Sequence, residues 1–139
     1  MGKGEVDMAG CVLRVSGATF QIDAFLLGVN LAPCKVWHVG DQARPRRPAS
    51  TSAGFNVTVS EASDLPSQVA DAIEFLRDHH ADLLRLSNMP EVDDVMLDFG
   101  IFRRDVLGQF DEFPSTLVRA AGELQISLGL SQYVSDDGG

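Results

Sequence analysis

The chain has 139 residues, 45% hydrophobic and 22% charged, with 20 acids against 11 Lys and Arg for a net charge of −9. This is an ordinary globular composition, long enough to bury its own core without a disulfide or metal staple. The acidic balance argues against nucleic acid and anionic membranes as partners, and no apolar run approaches the roughly 20 residues of a membrane span.

Residues 1–9 carry no hydrophobic period and read as a flexible tail. "MGKGEVDMAG" lacks the apolar segment and cleavage site of a signal peptide, and "GKGEVD" has Val6 where a myristoylation signal needs Ser or Thr. The expected location is cytoplasmic. "CVLRVSG" alternates, with Cys11, Leu13 and Val15 on one face and Val12, Arg14 and Ser16 on the other, which is the period of a half-buried strand. "TFQIDAFLLGVN" has Ile22, Phe25, Leu26 and Val29 at helical spacing, with Thr19 as the cap and Asn30 to take the left-handed turn at its end. "KVWHV" is a further short strand.

"GDQARPRRPASTSAG" has Pro45 and Pro48 and no period. Loops of such length in a small domain carry function or are disordered. "FNVTVS" then sets Phe55, Val57 and Val59 against Asn56, Thr58 and Ser60. "SDLPSQVADAIEFLRDHHADLLRLSN" opens on Ser63 or Asp64 as cap, with Pro66 in the first turn. Its stripe is Val69, Ile73, Leu76, His80, Leu83 and Leu84, on one helix or on two broken near Asp78. "VMLDFGIFR" alternates Val95, Leu97, Phe99 and Ile101 with Met96, Asp98, Gly100 and Phe102. "FPSTLVRAAGEL" is a helix with Leu117, Val118, Ala121 and Leu124 inward, and "QISLGLSQY" closes the fold as a strand with Ile126, Leu128 and Leu130 inward.

A parallel sheet buried on both faces would read as continuous apolar runs, so this alternation predicts a mainly antiparallel sheet covered on one face. The expected fold is an α+β two-layer sandwich with its helices on one face, a ferredoxin-like core and an appended helix and strand. One domain is expected over 1–139, with an ordered core at about 11–134, flexible tails at 1–9 and 135–139 and a flexible loop at 41–53.

The order "LRVSG…FLLGVNLAPCKVWHVGD", "FNVTVS", a long helix, "VMLDFGIF" and a closing "LVRAAGELQISLGLSQY" resembles the bacterial domain-of-unknown-function family 4279, over roughly residues 11–134. The family name implies no activity and brings no catalytic residues. The resemblance implies a small bacterial single-domain protein with a regulatory or immunity-type role. Arg44, Arg46 and Arg47 lie outside the resembling motifs.

Three groups of residues are candidates for ligand or partner contact. Trp37 offers a stacking ring and Asp41 a carboxylate. The competing reading is architectural: Trp37 plugs the end of the sandwich, Gly40 supplies a positive φ and Asp41 caps the turn. The second group is the uncovered sheet face, predicted to display Arg14, Asn56, Thr58, Met96, Asp98, Phe102, Ser127, Ser131 and Tyr133. Its large apolar groups suggest that something covers it: a small molecule, a second copy, or only water. The third is the basic stretch, where Lys35, Arg44, Arg46 and Arg47 face one acid, Asp41. It holds an anion, contacts an acidic partner, or merely balances the acidic surface.

No catalytic, metal or cofactor set is expected. His79 and His80 adjoin, about 100° apart on a helix, so they do not share a metal. Cys34 and His38, on an extended segment, share a face but lie about 13 Å apart. Cys11 and Cys34 are expected to be buried thiols. The function expected is a non-enzymatic protein-interaction or immunity-like module, with a protein partner or a homodimer. The alternative is a small molecule or anion bound on the open sheet face, with modest enzymatic activity as an extension.

Overall fold

The structure, a computed structural model, describes residues 9–42 and 44–134. The terminal stretches expected to be tails, 1–9 and 135–139, lie outside the described residues except for Ala9. Strand β1 (Gly10–Gly17) is followed by helix α1 (Ile22–Leu27), β2 (Lys35–Trp37), β3 (Ala53–Ser60), α2 (Leu65–Asp78), α3 (His80–Ser87), β4 (Asp94–Phe102), α4 (Ser115–Glu123) and β5 (Ser127–Tyr133). The result is α+β, with one five-stranded open sheet in the order β2-β3-β1-β4-β5. β1 lies antiparallel to both β3 and β4, β2 antiparallel to β3, and β5 parallel to β4. The sheet is therefore mixed, because α4 carries the chain back across and lets β5 run in the direction of β4.

The predicted alternation holds through β1, β4 and most of β3, but Leu130 of β5, expected inward, is exposed, and Ser60, expected outward, is buried where a register shift pairs it with Cys11. Cys11, Leu13, Val15, Phe55, Val57, Val95, Leu97, Phe99 and Ile101 are buried in one cluster with Phe25 of α1, Val69, Ala72 and Leu76 of α2, Leu83 and Leu86 of α3 and Leu117 and Ala121 of α4. Each fully buried side chain of this size contributes about 1.5–3 kcal/mol of transfer free energy. Phe25 stacks on Phe55 at 5.9 Å between centroids, which seats the short α1 against β3. Gln68 is the most deeply buried polar residue of those described. Its amide donates to Ala62 O at 2.8 Å and Gly100 O at 2.9 Å, tying the first turn of α2 to β4.

Several local expectations are corrected. α1 begins after Gln21, without a side-chain cap, rather than at Thr19. Asn30 takes no left-handed turn; the only described non-glycine residue with positive φ is Gln125. Asp64 caps α2 by accepting from Ser67 N at 2.9 Å, which holds its carboxyl below the usual range. The long helical run is two helices joined at His79. Half-buried His79 follows Phe75 by four residues and packs on it at 4.6 Å, while His80 is exposed. Val118 is exposed as well. Cys34 is exposed, and only Cys11 is buried.

Candidate functional site

The strand pairing draws the uncovered face in rows. Lys35, Asn56, Arg14, Met96 and Ser127 are successive neighbours across all five strands. The adjacent row is Trp37, Gly54, Ser16 and Asp94. On the other side run Thr58, Val12, Asp98 and Gly129. All nine residues predicted for this face belong to it, since side chains two apart on a strand share a face. Trp37 is on it too. The expectation that it plugs the sandwich is overturned: β2 pairs with β3 so that Trp37 faces Gly54 on the helix-free side, half-buried. Gly54 leaves the room it needs, for a Cβ there would lie 2.5 Å from Trp37 Cζ2.

The centre of the face is a polar network. Arg14 donates from Nε at 3.1 Å and Nη2 at 3.0 Å to Asp98 Oδ2, and Ser131 Oγ donates to Asp98 Oδ1 at 2.7 Å. With the Asn56 amide oxygen toward Arg14, that oxygen accepts from Nη1 at 3.2 Å while the amide nitrogen donates to Phe55 O at 3.1 Å. Arg14 is thus fixed in direction and its charge largely offset by Asp98.

The basic loop follows β2, and its local chemistry explains its shape. Gly40 has φ 94°, and Asp41 Oδ2 accepts from His38 N at 2.8 Å, so both residues perform the turn roles their types suggest. Gly40 N donates to Ser50 O at 2.8 Å and Ser50 N to Asp41 O at 2.6 Å, closing the base of the loop. At the far end Arg47 N donates to Arg44 O at 3.1 Å, a turn with Pro45 at its second position. The Gln42 amide braces that turn from inside, at 2.6 Å from Arg47 O and 3.2 Å from Pro45 O. Arg44 and Arg47 stand at the two ends of the turn, so their side chains leave it close together. Arg46 stands at its tip.

Loop and sheet face together border an open cavity of about 880 Å³. Arg14, Lys35, Trp37, Asn56 and Asp94 line it from the sheet; Asp41, Gln42, Arg44, Arg47 and Ser50 line it from the loop. Small-molecule sites commonly measure about 300–1,000 Å³. Lys35 Nζ lies 5.6 Å from the Trp37 ring centroid, a cation–π distance. Arg44 and Arg47 make no ion pair among the described residues. Outside the cavity, His38 Nε2 meets Asp23 Oδ1 at 3.0 Å and ties the loop base to α1. The hydrogen bond and the charge of Asp23 raise the His38 pKa above its ordinary 6.5.

Of the candidate residues, the structure brings Arg14, Trp37, Asp41, Arg44 and Arg47 to one cavity. Asp98 acts one step back, through Arg14. Phe102 and Tyr133 pair with each other at 6.2 Å, at the other end of the sheet, and do not line the cavity, nor does Arg46. Lys35, the fourth cation of the basic stretch, is brought to the cavity as well, and Gln42, Ser50 and Asp94 are additions. Among the described residues no three of His, Cys, Asp and Glu are grouped to hold a metal ion. No described helix is long and apolar enough to cross a membrane.

No protein-family model, curated protein or solved structure matches this chain.

Proposed function

We propose that the protein is a binding protein for a small anionic molecule held between the open sheet face and the loop after β2. The observation that carries this reading is the convergence of Lys35, Arg44 and Arg47 with a fixed Arg14 on one cavity in a chain of net charge −9. Two arginines at the ends of one turn can each offer a phosphate or carboxylate two parallel N–H donors. The reading is non-enzymatic, resting on the cavity's cations and stacking ring as binding groups.

The test is calorimetric titration with inorganic phosphate and pyrophosphate. The parent protein should bind at least one of them, and Arg44→Ala/Arg47→Ala should weaken it by about tenfold or more. A parent that gives no heat up to about 10 mM anion would sink the reading.

A second reading, a protein-interaction or immunity-like module, draws support from the loop between β4 and α4, where Val106, Leu107 and Phe110 are all exposed. If the partner is a second copy, sedimentation velocity should show a dimer that the Leu107→Ser/Phe110→Ser variant loses. A monomer at about 100 µM removes the homodimer. We also propose that the first four strands form a ferredoxin-like unit; the order β2-β3-β1-β4, antiparallel throughout, supports it. Membership of the bacterial domain-of-unknown-function family 4279 is likewise a proposal, supported by the order of the quoted motifs. A cytoplasmic setting is supported by the exposed thiol of Cys34, which a reducing compartment tolerates.

A further inference from the structure

We propose that the ligand of this cavity is an aromatic monoanion or dianion of the nucleoside monophosphate class, its ring stacked on Trp37 and its phosphate held by Arg44 and Arg47. This rests on the anion-binding reading and adds to it the identity of the second half of the ligand.

The cavity is not built for a bare anion. Phosphate needs only the arginine pair and one or two further donors, and would fill a small part of about 880 Å³. The remaining wall is of a different kind. Trp37 stands on the open face beside Gly54, a position where any larger residue would displace the indole. Its Nε1 reaches Ser52 Oγ at 3.5 Å, and its ring also lines the cavity. A half-exposed indole beside cations is the usual platform for a planar ring carrying a phosphate, because stacking and charge are satisfied at once.

The acids narrow the class further. Asp41 and Asp94 line the same cavity. They repel a highly charged polyphosphate, but they accept hydrogen bonds from hydroxyl and exocyclic amine groups, which a nucleoside has and inorganic phosphate lacks. Arg14, already bonded to Asp98 and Asn56, forms a floor and leaves Arg44, Arg47 and Lys35, which lies over Trp37, as the cations without a carboxylate partner against those two acids. That balance suits one phosphate. A polymer is disfavoured because a polynucleotide would run its other phosphates over a molecule of net charge −9.

Trp37 is the only tryptophan of the chain, so its emission reports on the site directly. AMP, adenosine and inorganic phosphate are titrated separately, by fluorescence and by calorimetry. AMP should quench the emission and bind about tenfold or more tighter than phosphate, since base–aromatic stacking is worth that much. In Trp37→Leu, AMP should fall to the affinity of phosphate, and in Trp37→Phe most of the preference should return. Circular dichroism melts check that both variants fold. Phosphate binding with no preference for AMP, or a preference that survives Trp37→Leu, overturns this inference and leaves the anion site standing. Absence of binding by AMP and phosphate alike overturns both.

Discussion

Replacing Gly54 by alanine links the sheet to the site in one substitution. Gly54 sits in β3 between Ser16 of β1 and Trp37 of β2. An alanine Cβ would fall against Val15 O, 2.5 Å from Trp37 Cζ2 and 3.0 Å from Ser16 Cβ. The carbonyl belongs to the central strand, paired on both sides, and cannot retreat without disturbing two ladders. The clash with the carbonyl is relieved only by a shift of β3 itself, and the indole is the side chain that gives. Overpacking of this kind costs about 1–3 kcal/mol, or about 3–10 °C in melting temperature for a domain of this size. Gly122 is the control. It lies in α4 with nothing within 4 Å of a Cβ, so Gly122→Ala should stabilise by up to about 1 kcal/mol through helix propensity. Thermal melts by circular dichroism give the stability, and the emission maximum of Trp37 gives the displacement. If Gly54→Ala melts with the parent and its emission is unchanged, the indole does not rest on Gly54.

The His38–Asp23 pair should make stability depend on pH in one direction. The folded pKa of His38 is raised above 6.5, so the stabilisation is fully present below about 6.5 and is lost as pH rises through the raised value. Urea melts of the parent and of His38→Ala should differ most near pH 6 and converge above that value; a gap that widens with pH refutes the pairing. The cysteines should separate by reactivity. Cys34 is exposed, whereas burial first, then the charges of Asp98 and Asp71, pushes the Cys11 thiol up to about 12. Mass spectrometry after brief alkylation at pH 8 should find one adduct on the folded protein and two in denaturant. Prompt double labelling of the native protein would contradict the buried position of Cys11.

The open face was readable because the sheet is covered on one side only. Alternation in "CVLRVSG", "FNVTVS" and "VMLDFGIFR" then assigns most side chains to core or solvent without any knowledge of pairing; it fails at Ser60, which a register shift turns toward Asp71 of α2. Trp37 was left between a stacking platform and a plug because β2 has three residues, too few to show a period. Its side became definite only through its pairing with Gly54. His80 was misread because the stripe was centred too far round the helix: the buried side follows Val69, Leu76 and Leu83 with Ala72, His79 and Leu86, which takes in His79 and leaves His80 outside. The loop was readable in part. "ARPRR" contains a proline suited to the second position of a turn, and Gly40-Asp41 marks the turn before it. Its position beside Arg14 and Asn56 depends on the backbone pairing of Gly40 and Asp41 with Ser50, and such pairing leaves no trace in composition.

The arrangement of charges bears on why an acidic chain carries a basic loop. If the loop's arginines served to balance the acidic surface, they would sit beside carboxylates. The arginines that do so are elsewhere: Arg14 with Asp98, Arg77 with Asp78 and Arg104 with Asp111. Arg44 and Arg47 instead face a cavity whose nearer acids, Asp41 and Asp94, are outnumbered by its cations. At about 0.1 M salt the screening length is about 10 Å, so the acids on the rest of the surface are felt weakly inside the cavity, while its own cations act at contact distance. Local attraction and global repulsion thus operate over different ranges. A small anion that reaches the cavity meets mainly the first, and a large polyanion meets both. On the proposed reading, a basic loop on an acidic body would select for size as well as for charge, and that selection would need the loop to be held against the sheet face.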